Sequence, residues 1–108
     1  MLSFQHDGEA RGYESITTAA SIGFTSSYYN YSSVSNMPMK AALITVETAD
    51  IRMTLDGTTP TVTAGTAAGH LITSGQNYVV RGYENCKNFR CINAVAASSA
   101  VVKCTYFY

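Results

Sequence analysis

"AALITVETADIRMTLDGTTPT", residues 41–61, decides the fold. Its first part is a short apolar run rich in β-branched residues. The second part alternates, with Ile51, Met53 and Leu55 on one side of an extended chain and Arg52, Thr54 and Asp56 on the other. A period of two with one polar face is the signature of a half-buried antiparallel strand. Asp56-Gly57 then supplies a turn, because glycine reaches positive φ at no steric cost, and Pro60, which cannot donate to a central ladder, stiffens the connection. Two strands and a turn account for the whole stretch, and nothing in it needs a ligand.

The same pattern runs outward from there. Strands are predicted at 41–48, 51–56, 69–73, 77–82, 89–95 and 100–108, separated by Gly, Asp, Asn and Pro. The last one sets Val102, Cys104 and Tyr106 against Val101, Lys103 and Thr105. A brief helical turn is expected at 84–88, crossing between sheets. Six or seven strands over residues 39–108 make a small all-β domain, an antiparallel β-sandwich of immunoglobulin-like or jelly-roll-like form.

Residues 1–38 read differently. "TSSYYNYSSVSNMP", 25–38, carries no charge and shows no helical period, so 1–38 is predicted to be an extended N-terminal arm and 39–108 the sandwich domain, able to fold without it. Tyr28, Tyr29 and Tyr31 offer large contact area at low side-chain entropy cost, which suits an arm that crosses to a neighbouring subunit. "RGYE" occurs at 11–14 and again at 81–84, too short an echo to define a repeat.

Composition narrows the function classes. Hydrophobic residues make up 46 % and charged residues only 13 %, with zero net charge. A nucleic-acid binder is usually basic. No run approaches the ~18 apolar residues of a membrane span, and "MLSFQHDGEARGYE" is broken by His6, Asp7, Glu9 and Arg11 where a secretion signal needs an apolar stretch. A soluble protein made in a cytoplasm is expected. Cys86, Cys91 and Cys104 fit no disulfide framework and read as small core residues, with Cys91 and Cys104 on adjacent strands.

Signatures of catalysis and metal binding are missing. His6 and His70 lie in unlike contexts, the Cys86 to Cys91 spacing has no nearby His, and no G-x-S-x-G elbow occurs. "GTAAGH", 65–70, lacks the Lys-Ser/Thr of a phosphate loop. Glu47, Asp50 and Asp56 read as strand ends and a turn. The expectation is a non-enzyme with no catalytic residue, no metal and no cofactor.

With "AALITVETADIRMTLDGTTPT", "AAGHLI", "NYVVRG", "NFRCI" and "CTYFY" in this order, residues 40–108 resemble small structural proteins of tailed bacteriophages associated with the head. The resemblance implies a capsid decoration or cement protein on the virion surface, made in the host bacterial cytoplasm and partnered by the major capsid protein or other virion proteins. It also implies a homo-oligomer, with a trimer favoured, and no nucleic-acid or membrane partner. Tyr28, Tyr29 and Tyr31, with the aromatic ending Tyr106, Phe107 and Tyr108, are the expected partner-binding residues. A head–tail junction or tail component is the neighbouring alternative. Residues 51–61 also look like the "TxDGTxPT" strand-turn of immunoglobulin-like accessory domains on chitobiases and other glycosidases, where it is structural. A carbohydrate-binding module, stacking exposed Tyr on sugar rings, is the alternative from another class.

Overall fold

The computed structural model describes residues 8–29, 38–62 and 68–108. In chain order these form β1 (Ala10–Thr17), α1 (Ser26–Tyr29), β2 (Ala41–Glu47), β3 (Ile51–Thr54), β4 (His70–Ile72), β5 (Asn77–Arg81), α2 (Tyr83–Asn88), β6 (Arg90–Asn93) and β7 (Val101–Phe107). Two antiparallel sheets result, one ordered β1-β7-β2-β5 and the other β4-β3-β6. They face each other as a β-sandwich. All six strands expected from 41 onward are present, as is the helical turn at α2.

Alternation builds the core. Ala42, Ile44 and Val46 of β2 lie opposite Tyr106, Cys104 and Val102 of β7, and all six are fully buried. Ile51 and Met53 of β3, Ile72 of β4 and Cys91 of β6 close over them from the second sheet. Each of the Ile, Val and Met side chains among them contributes roughly 1.5–3 kcal/mol by leaving water. Thr54, expected on the polar side of β3, is buried instead, because its hydroxyl donates to the Thr58 carbonyl and is satisfied inside the turn. At that turn Gly57 has φ of 86°, and the Thr58 amide donates to Asp56 Oδ1 at 3.0 Å. The Asp-Gly pair is a turn device, as read.

The N-terminal region departs from the reading of 1–38 as an arm. Residues 10–17 form β1, an edge strand paired along β7 with Ile16 opposite Val102, Glu14 opposite Cys104 and Gly12 opposite Tyr106. The chain then crosses to the other sheet, where Ile22 and Cys91 exchange main-chain hydrogen bonds of 2.9 and 2.8 Å along the outer side of β6. Gly23 permits that approach, since a Cβ there would lie 2.5 Å from the Phe89 carbonyl oxygen. Phe24 follows, stacked on Phe89 with centroids 4.3 Å apart and edge-on to Tyr106 at 5.1 Å. The composition misled for a physical reason. The inward positions of β1 are Gly12, Glu14 and Ile16, so only one of three is apolar and the period of two is hidden.

Candidate interaction site

The aromatic ending is core and not contact surface. Tyr106 and Tyr108 are 0 % and 2 % exposed, and Phe107, on the opposite face of its sheet, is buried beside Ala41 and Val79. With both edges of β7 paired to β1 and β2 and these three side chains almost wholly covered within the chain, the structure corrects their assignment as partner-binding residues. Tyr28 and Tyr29 are half-buried and pack against this chain's own core. Tyr31 lies outside the described residues. Tyr28 sits 4.8 Å from Tyr106, ring to ring, and donates its hydroxyl to the Tyr13 carbonyl at 3.0 Å, while the Tyr108 hydroxyl donates to the Tyr28 carbonyl.

Glu14 organises this end of the sandwich. Its carboxylate accepts the Thr25 amide at 3.0 Å, the Thr25 hydroxyl at 2.6 Å and the Tyr106 hydroxyl. Burial, with the Cys104 thiol and the Glu14 carboxylate beside it, pushes the Tyr106 hydroxyl far above the ordinary phenol range. The group is a donor that stays protonated, and its role is to tie β7 to β1.

The cysteines carry no reactive chemistry at neutral pH. All three are free and buried, and burial raises each thiol to about 12. Thiolate is the nucleophile and the metal ligand, so these remain inert. Cys91 lies on β6 and Cys104 on β7, in facing sheets, and not on adjacent strands as expected. Among the described residues no group of three His, Cys, Asp or Glu is placed to hold a metal ion. Asp50 accepts the Ser74 amide at 2.8 Å, and hydrogen bonds from Thr58 hold the Asp56 carboxyl below its ordinary value, so both carboxylates serve turns.

A cleft opens on the side of the sandwich away from β1. It measures about 420 Å³ and is lined by Met53, Leu55, His70, Leu71, Ile72, Gln76, Asn77 and Tyr78. The 73–76 turn creates it by carrying the chain from β4, on the edge of one sheet, to β5, on the edge of the other. That turn is held by Gln76, whose amide donates to the Thr73 carbonyl at 3.1 Å and whose side chain accepts the Thr73 amide at 3.0 Å. Tyr78 pairs with Ile44, so it occupies an inward position, yet it is 40 % exposed because no strand of the facing sheet reaches over it. Across the cleft, Leu71 pairs with Arg52 and so belongs to the outer face of β4, where it is 50 % exposed at the rim. Among the described residues no Asp, Glu, Lys or Arg lines the cleft, and the titratable groups there are His70 and Tyr78.

The flank of the cleft carries free main-chain groups. The Val46 amide donates to the Gln76 carbonyl at 3.0 Å and the Gly82 amide to the Lys40 carbonyl at 2.8 Å, in register with Ile44 opposite Tyr78 and Ala42 opposite Val80. Main-chain direction alternates along a strand, so even-numbered residues of β5 face β2 and Asn77 and Val79 face outward. Among the described residues nothing pairs with them. Sequence reasoning missed this site because strand order, which decides that β4 and β5 are both edges, is not written in periodicity; the exposed Tyr of "NYVVRG" was its one local trace.

Comparison with known protein families, with curated proteins and with solved structures finds no match for this chain. Among the described residues no helix is long and apolar enough to cross a membrane.

Proposed function

We propose that this chain is a virion structural protein of the capsid decoration or cement type, one that binds the assembled head through its major capsid protein. Two things support the reading: the likeness of residues 40–108 to head-associated phage proteins, and the uncharged cleft beside a free strand edge. The cleft is the observation that carries it, since such a surface gains most by meeting protein. Mechanistically, a domain that binds only the assembled lattice stabilises it by its own binding free energy. Local symmetry axes of a shell favour a cyclic oligomer of the bound protein, a trimer at a three-fold position.

The direct test is co-sedimentation with shells assembled from the major capsid protein of the same genome. Saturable binding and a higher melting temperature of the shell are expected. Absence of binding to shells sinks the decoration role, and binding confined to head–tail junctions in particle images would move the protein there. A carbohydrate-binding reading has one observation in its favour, the exposed Tyr78 ring beside Gln76, Asn77 and His70. Glycan-array binding by the isolated protein without shell binding would replace the first reading with this one.

A further inference from the structure

Among the described residues the strand edges are protected to different degrees, and β5 is the longer of the two that flank the cleft. The outer edge of β6 is occupied by Ile22. That of β1 has a bulge between Ala10 and Gly12 and the Arg11–Glu9 ion pair at 2.8 Å at its start, and the Tyr28 hydroxyl takes the Tyr13 carbonyl, while the rest of that edge lies away from the cleft. β4 is only three residues long. Short strands, bulges and charges are the devices by which sheets avoid unwanted pairing. β5 has no bulge and no proline, and its single charge, Arg81, sits at its end, where the Asn85 side chain already donates to the Arg81 carbonyl at 2.8 Å. Asn77 and Val79 thus present two N–H and two C=O groups directly beside an apolar trough floored by Met53 and Ile72.

We propose that the β4–β5 cleft is a strand-addition site that accepts an extended, uncharged segment of a partner protein, hydrogen-bonded along Asn77 and Val79 with alternate apolar side chains set beside Tyr78 and over Met53 and Ile72. The occupant follows from the lining. Main-chain groups that alternate outward every second residue are matched by another extended chain, whose side chains on one face then meet the trough. Met53 and Ile72 offer that face apolar contact, while a charged side chain would lose water and gain no counter-charge, because among the described residues no carboxylate, ammonium or guanidinium lines the cleft. A sugar would use the Tyr78 ring but leave the strand edge unpaired. The inference rests on the decoration reading only for the identity of the partner, a capsid-protein segment; the mode of binding stands apart from it.

The test is selection from a surface-displayed library of random short linear peptides against the intact protein. Enrichment of sequences in which apolar residues alternate with small polar ones, and depletion of Asp, Glu, Lys and Arg at the apolar positions, is the expected result. Asn77→Pro removes one outward N–H without touching the β2 ladder, and Leu71→Asp puts a carboxylate at the rim. Each should weaken the selected peptides at least about tenfold, while far-UV circular dichroism and melting confirm that both variants fold. Failure to enrich any alternating peptide overturns the proposal, as does equal binding by Asn77→Pro and Leu71→Asp. Self-association that Asn77→Pro abolishes overturns it too, because the edge then serves a second copy. Peptide binding without shell binding refutes the decoration role and leaves the site standing; shell binding that neither variant weakens does the reverse.

Discussion

The two sides of this sandwich handle the same problem in opposite ways. On one side, residues 10–29 add a strand to β7, bridge to β6, and lay Phe24, Tyr28 and Tyr29 over the core, so the buried rings there have a second layer. On the other side β4 and β5 end the two sheets with nothing laid across the gap among the described residues, and Leu71 and Tyr78 stand half in water. Both sides use tyrosine. What separates them is whether a ring has a second layer to pack against, and that is set by topology. Stability is therefore concentrated on the first side and binding capacity on the second.

The largest effect should come from removing the cover. Deleting residues 1–36 strips β1 from β7, unseats Ile22 from β6 and removes Phe24, exposing Tyr106 and Val102 together. We expect no cooperative thermal transition from the truncated chain. A truncated protein that melts sharply near the full-length temperature would show that 39–108 is self-sufficient and that the cover is ornamental. Phe24→Ala is the narrower version. Phe24 is 6 % exposed and stacked on Phe89, so its loss should cost about 3–5 kcal/mol in denaturant melts. A cost below about 1 kcal/mol would mean that the stack is not holding this side shut.

How much of this was legible beforehand divides along the same line. Residues 41–61 and 100–108 announced their strands because their inward positions are nearly all apolar, and Gly57 announced its turn because few residues but glycine tolerate φ of 86°. β1 stayed hidden because Glu14 takes an inward place that only a hydrogen-bond network, Thr25 with Tyr106, makes tolerable. A carboxylate whose partners are 11 and 92 positions away leaves no local pattern. The aromatic ending was read as surface since Tyr and Phe serve interfaces and cores equally well, and burial of Tyr106 depends on β1 lying against it. The cleft depends on strand order, which periodicity does not carry.

At the turn that follows β3, backbone conformation replaces packing as the local constraint, and Gly57 measures it. A Cβ there would meet nothing closer than Asn88 Oδ1 at 4.0 Å, so a side chain has room and the penalty is one of φ alone. Gly57→Val should lose about 1–2 kcal/mol in stability, because a β-branched residue fits the left-handed region poorly. For a domain of this size that is a fall in Tm of roughly 5–15 °C. Melting at the wild-type temperature would mean that the turn relaxes freely, and that the Asp56 to Thr58 hydrogen bond does not fix it.

The smallest expected effect gives the sharpest test, because it changes the same residue type on each side. Tyr28 is half-buried, rests on Tyr106 and donates to the Tyr13 carbonyl at 3.0 Å, so Tyr28→Ala loses ring contact and a hydrogen bond together. About 2–3 kcal/mol is expected for that change. Tyr78 is 40 % exposed and has the gap of the cleft above it, so Tyr78→Ala removes a ring that few atoms touch from the facing sheet. Its cost should stay below about 1 kcal/mol, the loss of a partly buried apolar surface with no hydrogen bond attached. Paired denaturant melts read the difference directly. Equal costs would mean that Tyr78 is a supporting member of the core, and the cleft a packing defect with no claim to be a site; a cheap Tyr78→Ala that also loses the selected peptides would place stability and recognition on opposite sides of one small sandwich.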